Sequence, residues 1–263
     1  DANTSGSANT AIGDASLSAN TTAGNNTAIG SESLKVNTTG ASNTALGQAA
    51  LWANTTASAN TAVGVRAMYA NTTGASNTAS GAYALQANTT GSNNTATGHY
   101  ALVSSTTGSD NTAFGKSVMQ NNSTGYSNVA MGGAGVFTAA ALQSNTTGYG
   151  NVAIGAALVS NTTGAQNIAI GRTAMYYSTT GGSNVAIGQA ALHSNTTASS
   201  NTAVGYQAGY SATTSGLNTF VGQTAGYNSN ATNGRNTFIG TAAGYAMTTG
   251  EKNTIIGGYD GNQ

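Results

Sequence analysis

The stretch NTALGQAALWANTTASANTAVG, Asn43 to Gly64, states a phrase and then begins it again. Asn-Thr-Ala-Leu-Gly at 43–47 returns as Asn-Thr-Ala-Val-Gly at 60–64. Followed in both directions, the phrase starts at Asn9, Asn26, Asn43, Asn60, Asn77, Asn94, Asn111, Asn128, Asn151, Asn167, Asn184, Asn201, Asn218, Asn236 and Asn253, fifteen copies in 263 residues. The step is 17 residues, except for 23 after Asn128, 16 to Asn167 and 18 to Asn236. The long step holds an insert near 133–140. A fixed period of this length makes each copy one structural unit that is stable when stacked on the next. The sequence therefore reads as a single repeat domain over 1–263, with bulkier, aromatic-richer coils over 201–263.

Numbered from its Asn, the phrase has glycine at position 5 in every copy: Gly13, Gly30, Gly47, Gly64, Gly81, Gly98, Gly115, Gly132, Gly155, Gly171, Gly188, Gly205, Gly222, Gly240 and Gly257. Such constancy points to a turn that needs positive φ or has no room for a Cβ. Position 3 is Ala in twelve copies, then Phe220, Phe238 and Ile255. Position 4 is mostly large and apolar, and position 9 is commonly Leu or Met, from Leu17 to Leu192. Positions 12–14 commonly read Asn-Thr-Thr.

Glycine in fixed phase and scattered Asn, Ser and Thr oppose helix. The expectation is all-β: a parallel β-solenoid, or β-roll, of about fifteen 17-residue coils. Each coil would carry one strand at positions 2–4, a second at 7–11, and turns at position 5 and at Asn-Thr-Thr-Gly. Successive coils would lie about 4.8 Å apart, giving a rod on the order of 70 Å. The position-1 asparagines would then stack as a hydrogen-bonded ladder. Thr and Val exchange at position 2, which places positions 2 and 4 on the interior face and the Ala of position 3 on the exterior. Two large side chains per coil make a thin core. A column of outward Ala would allow close approach of another chain, so the expected state is a homotrimer.

Composition narrows function. Charged residues are 5% of the chain and balance to zero, which excludes a basic nucleic-acid surface. No apolar run approaches the ~20 residues of a membrane span. There is no cysteine, hence no disulfide. No His or acidic cluster has metal-ligand spacing, and no acidic residue recurs in phase to bind calcium. Gly132-Gly133-Ala134-Gly135 is a weak match to a phosphate loop and fits a coil corner better. No catalytic residue, metal or cofactor is expected. Asp1-Ala2-Asn3 is neither an initiator Met nor a signal peptide, so the chain is expected to be processed or a portion of something longer.

Three surface features remain. Trp52, Tyr69, Tyr176, Tyr210, Tyr227 and Tyr245 share position 10 and are candidates for stacking on glycans or for packing between subunits. Asn20, Asn37, Asn54, Asn71, Asn88, Asn145, Asn161 and Asn195 lie in Asn-Thr-Thr and match the glycosylation sequon, although turn chemistry accounts for the same residues. Repeated threonines raise ice binding. That expectation ranks third, because adjacent Thr point to opposite sides of a strand and position 2 is assigned to the interior.

The phrases Asn-Thr-Ala-Ile-Gly at 9–13 and 26–30 and Asn-Val-Ala-Ile-Gly at 151–155 and 184–188 resemble the head repeats of trimeric autotransporter adhesins. The run NTAVGYQAGYSATTSGLNTFVGQTAGY at 201–227 looks still more like repeats of phage tail fibres and of surface proteins with an intramolecular chaperone domain. The resemblance implies a trimeric extracellular β-solenoid on a cell surface or virion. The 17-residue repeat is longer than the usual adhesin-head repeat, and nothing in 1–263 reads as a coiled-coil stalk or membrane anchor. The expected role is a structural fibre or fibre shaft whose partner is itself, laterally and end to end. A glycan-binding receptor module on the same scaffold is the runner-up.

Overall fold

The computed structural model of the chain describes residues 3–135, 139–230 and 234–258. Residues 136–138 of the expected insert, and 259–263 of the aromatic-richer end, lie outside the described residues. The chain divides into two compact units, Asp1–Asn128 and Val129–Gln263.

The first unit carries β1 (Thr10–Ile12), β2 (Thr27–Ile29), β3 (Thr44–Leu46), β4 (Thr61–Val63), β5 (Thr78–Ser80), β6 (Thr95–Thr97) and β7 (Thr112–Phe114). Each pairs in parallel with the next in chain order, and like position meets like: Thr27 with Thr44, Ala28 with Ala45, Ile29 with Leu46. The second unit repeats the scheme with β8 (Val129–Met131), β9 (Val152–Ile154), β10 (Ile168–Ile170), β11 (Val185–Ile187), β12 (Thr202–Val204), β13 (Thr219–Val221), β14 (Thr237–Ile239) and β15 (Thr254–Ile256). Both units are parallel β-solenoids, and the described residues contain no helix.

Two local expectations are corrected. The first is the second strand. Positions 7–11 form a run of turns instead, because the backbone turns left-handed at positions 7 and 9: Glu32 has φ 60° and Leu34 φ 48°. Turn bonds join Ser33 N–H to Gly30 O at 3.2 Å and Asn37 N–H to Leu34 O at 3.2 Å. The remaining amides still reach other coils, Glu32 N–H to Asp14 O at 2.8 Å and Leu34 N–H to Ala50 O at 3.0 Å. A bulky residue at such φ costs roughly 1–2 kcal/mol. Burying Leu34 completely offsets this by about 1.5–3 kcal/mol.

The second correction reverses the strand. Ala at position 3 is the interior residue, 0% exposed from Ala28 to Ala203. Positions 2 and 4 face outward. The coil is too narrow to seat both a strand-borne Ile and the Leu or Met of position 9. Only a methyl fits opposite Leu51 or Met68, both fully buried. Leu142 and Leu158 fill the same interior role in the irregular coils around the insert. The column of Ala therefore packs within its own chain and offers nothing to a neighbour.

Candidate interaction surfaces

The asparagines build the frame on which any surface rests. From Asn26 to Asn236 the position-1 asparagines are buried. Within each unit the Oδ1 accepts the amide of the next one, as in Asn43 N–H to Asn26 Oδ1 at 2.9 Å and Asn60 N–H to Asn43 Oδ1 at 3.0 Å. Their Nδ2 groups turn across the coil to position 15. There they meet the Asn of position 12, so one carbonyl accepts from both. Asn26 and Asn37 converge on Gly40 O at 3.0 and 2.9 Å, and Asn43 and Asn54 on Ala57 O at 2.8 and 3.0 Å. A carbonyl has two lone pairs, so both bonds can form.

The position-12 asparagines make a second column, with Asn54 Nδ2 to Asn37 Oδ1 at 2.8 Å and Asn71 Nδ2 to Asn54 Oδ1 at 3.0 Å. These are the sequon residues. Asn20, Asn37, Asn54, Asn71, Asn88, Asn145, Asn161 and Asn195 are all buried. A glycan attaches through Nδ2, and in all but Asn195 that atom donates to the carbonyl three residues on. At Asn195 it is buried without a partner. The folded coil offers none of these amides to a glycan.

All fifteen position-5 glycines have φ between 92° and 142°. A Cβ on Gly64 would also stand 2.6 Å from the backbone carbonyl of Gly81. The glycines set the corner at which the outward strand leaves its face.

That face carries exposed apolar side chains. Ile12 is 60% exposed, Leu46 45% and Phe114 55% in the first unit. In the second, Val129, Met131, Ile154, Ile168, Ile187 and Ile239 all exceed a third. No residue at position 2 or 4 of any coil is charged. Threonine occupies position 2 in all seven strands of the first unit, whereas Val129, Val152, Ile168 and Val185 occupy it in β8–β11.

The position-10 aromatics form stacks. In the first unit Trp52 and Tyr69 stack at 5.2 Å, with the Arg66 guanidinium 5.5 Å from the Tyr69 ring. In the second, Tyr176, His193, Tyr210, Tyr227 and Tyr245 make one continuous column, spaced 5.9, 4.8, 5.0 and 5.1 Å and tilted by 17° or less. His193 was missed as a member of this column, although it stands at position 10 in phase. Burial pushes its pKa below the ordinary value, so it is neutral at pH 7. The inner rings cover one another's faces, which leaves edges for a ligand and removes most of the stacking surface that a sugar would need.

Beneath this column lies a cleft of about 210 Å³ lined by Ala139, Ala156, Arg172, Thr173, Tyr176, Tyr177 and His193. No helix among the described residues is long and apolar enough to cross a membrane. Compared with protein-family models and with curated proteins, the sequence gives no match.

Proposed function

We propose that the chain is an extracellular structural fibre module that associates laterally with further copies of itself through the outward face of its strands. One observation carries this: columns of exposed, uncharged, mostly β-branched side chains along a parallel sheet. Soluble surfaces normally break such columns with charge. A threefold arrangement, as the resemblance implies, would bury positions 2 and 4 of three chains against each other. Stacking of coil ends would extend the assembly into filaments. The test is the solution mass of the full chain with electron microscopy of the same sample. Three-chain mass or filaments are expected, and Ile187→Lys, which sets like charges together in the interface, should return the mass to one chain with unchanged circular dichroism. A one-chain mass for the parent protein would overturn the proposal.

A second role is favoured by a specific observation. Thr10, Thr27, Thr44, Thr61, Thr78, Thr95 and Thr112 form an outward column in the first unit, with strands about 4.8 Å apart. The objection that these hydroxyls are interior no longer holds, and a regular hydroxyl array of this kind suits ice. Thermal hysteresis of the full chain, lost in Thr61→Lys, would favour ice binding over a fibre role. A glycan-binding receptor role remains the alternative on the same scaffold, with saturable binding lost in Trp52→Ala as its test.

A further inference from the structure

The aromatic column of the second unit ends at Tyr176, where the preceding coil presents Val159 in place of a ring. The coil begun by Asn151 is one residue short, 16 instead of 17. It sets Ala156 beneath Arg172 and Val159 beneath Tyr176, the register being fixed by Thr173 N–H to Ala156 O at 3.0 Å and Ser160 N–H to Tyr176 O at 3.2 Å. Tyr176 stacks on His193 on one side and meets Tyr177 edge-on at 78°. No further ring contacts it among the described residues. Val159, buried, stands in that layer in place of a ring, and the cleft opens beside it, along Arg172, Thr173, Tyr176 and Tyr177. Arg172, exposed at its rim, makes no ion pair or hydrogen bond through its guanidinium with any described residue.

We infer that this cleft binds one six-membered ring bearing a carboxylate, as in a hexuronate unit of an acidic polysaccharide. The ring sits in the cleft against the side chains of Tyr176 and Tyr177. The carboxylate meets the Arg172 guanidinium, whose planar fork matches it. The Thr173 and tyrosine hydroxyls face the ring hydroxyls. At about 210 Å³ the space falls below the ~300 Å³ of a drug-sized site, so it suits one ring. This site is independent of the lateral face and stands or falls apart from the fibre role.

Saturation-transfer NMR on the full chain tests it, with D-glucuronate, benzoate and D-glucose as probes. Transfer to glucuronate is expected to exceed that to glucose. Arg172→Gln should weaken glucuronate roughly tenfold, the weight of one charge-assisted contact. Tyr177→Ala should weaken it as well. Arg172 and Tyr177 are both exposed, so these variants keep the fold, which circular dichroism checks. Transfer to benzoate but not glucuronate would keep the ring carboxylate and assign it to an aromatic acid. Glucuronate no better than glucose with benzoate silent, or binding unchanged in Arg172→Gln, would overturn the inference.

Discussion

The coils up to Leu192 and those begun by Asn218 and Asn236 fill their interiors in opposite ways, with the Asn201 coil, Ala203 and Gly209, as the junction between them. In the Asn167 coil the strand supplies Ala169 and the turn supplies Met175, both fully buried. In the Asn218 coil the strand supplies Phe220 and the turn supplies Gly226. A Cβ on Gly226 would come within 2.4 Å of the Phe220 ring, on Gly209 within 2.5 Å of the same ring, and on Gly244 within 2.6 Å of Phe238. The large interior side chain moves from the turn to the strand, and Phe220 also reaches the space over Gly209 of the preceding coil. The exchange also relieves strain, since Leu192 sits at φ 48° where Gly209 takes φ 62° without a Cβ.

Breaking this complementarity should give the largest effect. Phe220→Ala leaves a void between two glycines and should cost about 3–5 kcal/mol. Gly226→Leu alone drives a side chain into the ring and should cost as much. The triple variant Phe220→Ala, Gly209→Leu, Gly226→Leu rebuilds the Ala–Leu interior and should recover more than half of the loss. Urea denaturation of the four proteins decides the matter; simple additivity would mean that the two interiors are not interchangeable.

Position 5 sharpens the contrast, because there the obstacle is backbone and cannot move aside as a ring can. Gly64→Ala combines φ 134° with a Cβ 2.6 Å from Gly81 O. It should cost about 2–4 kcal/mol, from left-handed strain plus overpacking. At Gly257 φ is 114° but nothing lies within 4 Å of the added Cβ. Gly257→Ala should therefore cost only the strain, about 1–2 kcal/mol. Equal losses in thermal melts would show that conformation alone fixes these glycines.

The two Asn columns form a milder pair. Asn60→Ser strands the Asn77 amide, which is buried and bonds Asn60 Oδ1 at 2.9 Å, and should cost about 1–3 kcal/mol. Asn54→Ser should cost less, since the chain already places Ser105, Ser178 and Ser229 in that column. Denaturation midpoints of the two variants would rank them, and the reverse order would refute the roles assigned to the columns.

Period, strand positions and turn glycines were legible because each recurs in phase. The direction of the strand was not. Alternation defines two faces, and the Thr–Val exchange at position 2 beside the large residues of position 4 favours the wrong one as the core. Two particulars pointed the other way. Ser80 and Thr97 stand at position 4 without disturbing the phrase, as an exposed site allows. Phe enters position 3 only where Gly has replaced Leu at position 9, as two groups sharing one space require. The cleft beside Tyr176 was only half legible: the 16-residue step shows in the sequence, but the space left beside Arg172 depends on how the shortened coil packs.

His193 joins the two kinds of coil on the outside, between Tyr176 of a methionine-filled coil and Tyr210 of a glycine coil. Burial lowers its pKa in the fold. The unfolded chain therefore takes up the proton first. Stability is complete above the unfolded value near 6.5 and falls as the pH drops through that value toward the lower one of the folded state. His193→Tyr continues the column with the ring used at Tyr210, Tyr227 and Tyr245 and removes the titration. Melting temperatures at pH 7 and pH 5 should fall further for the parent protein than for the variant, the smallest of these effects. Carboxylates act equally in both proteins, so the difference between them isolates the imidazole. Identical slopes would mean that His193 charges within the stack at no cost.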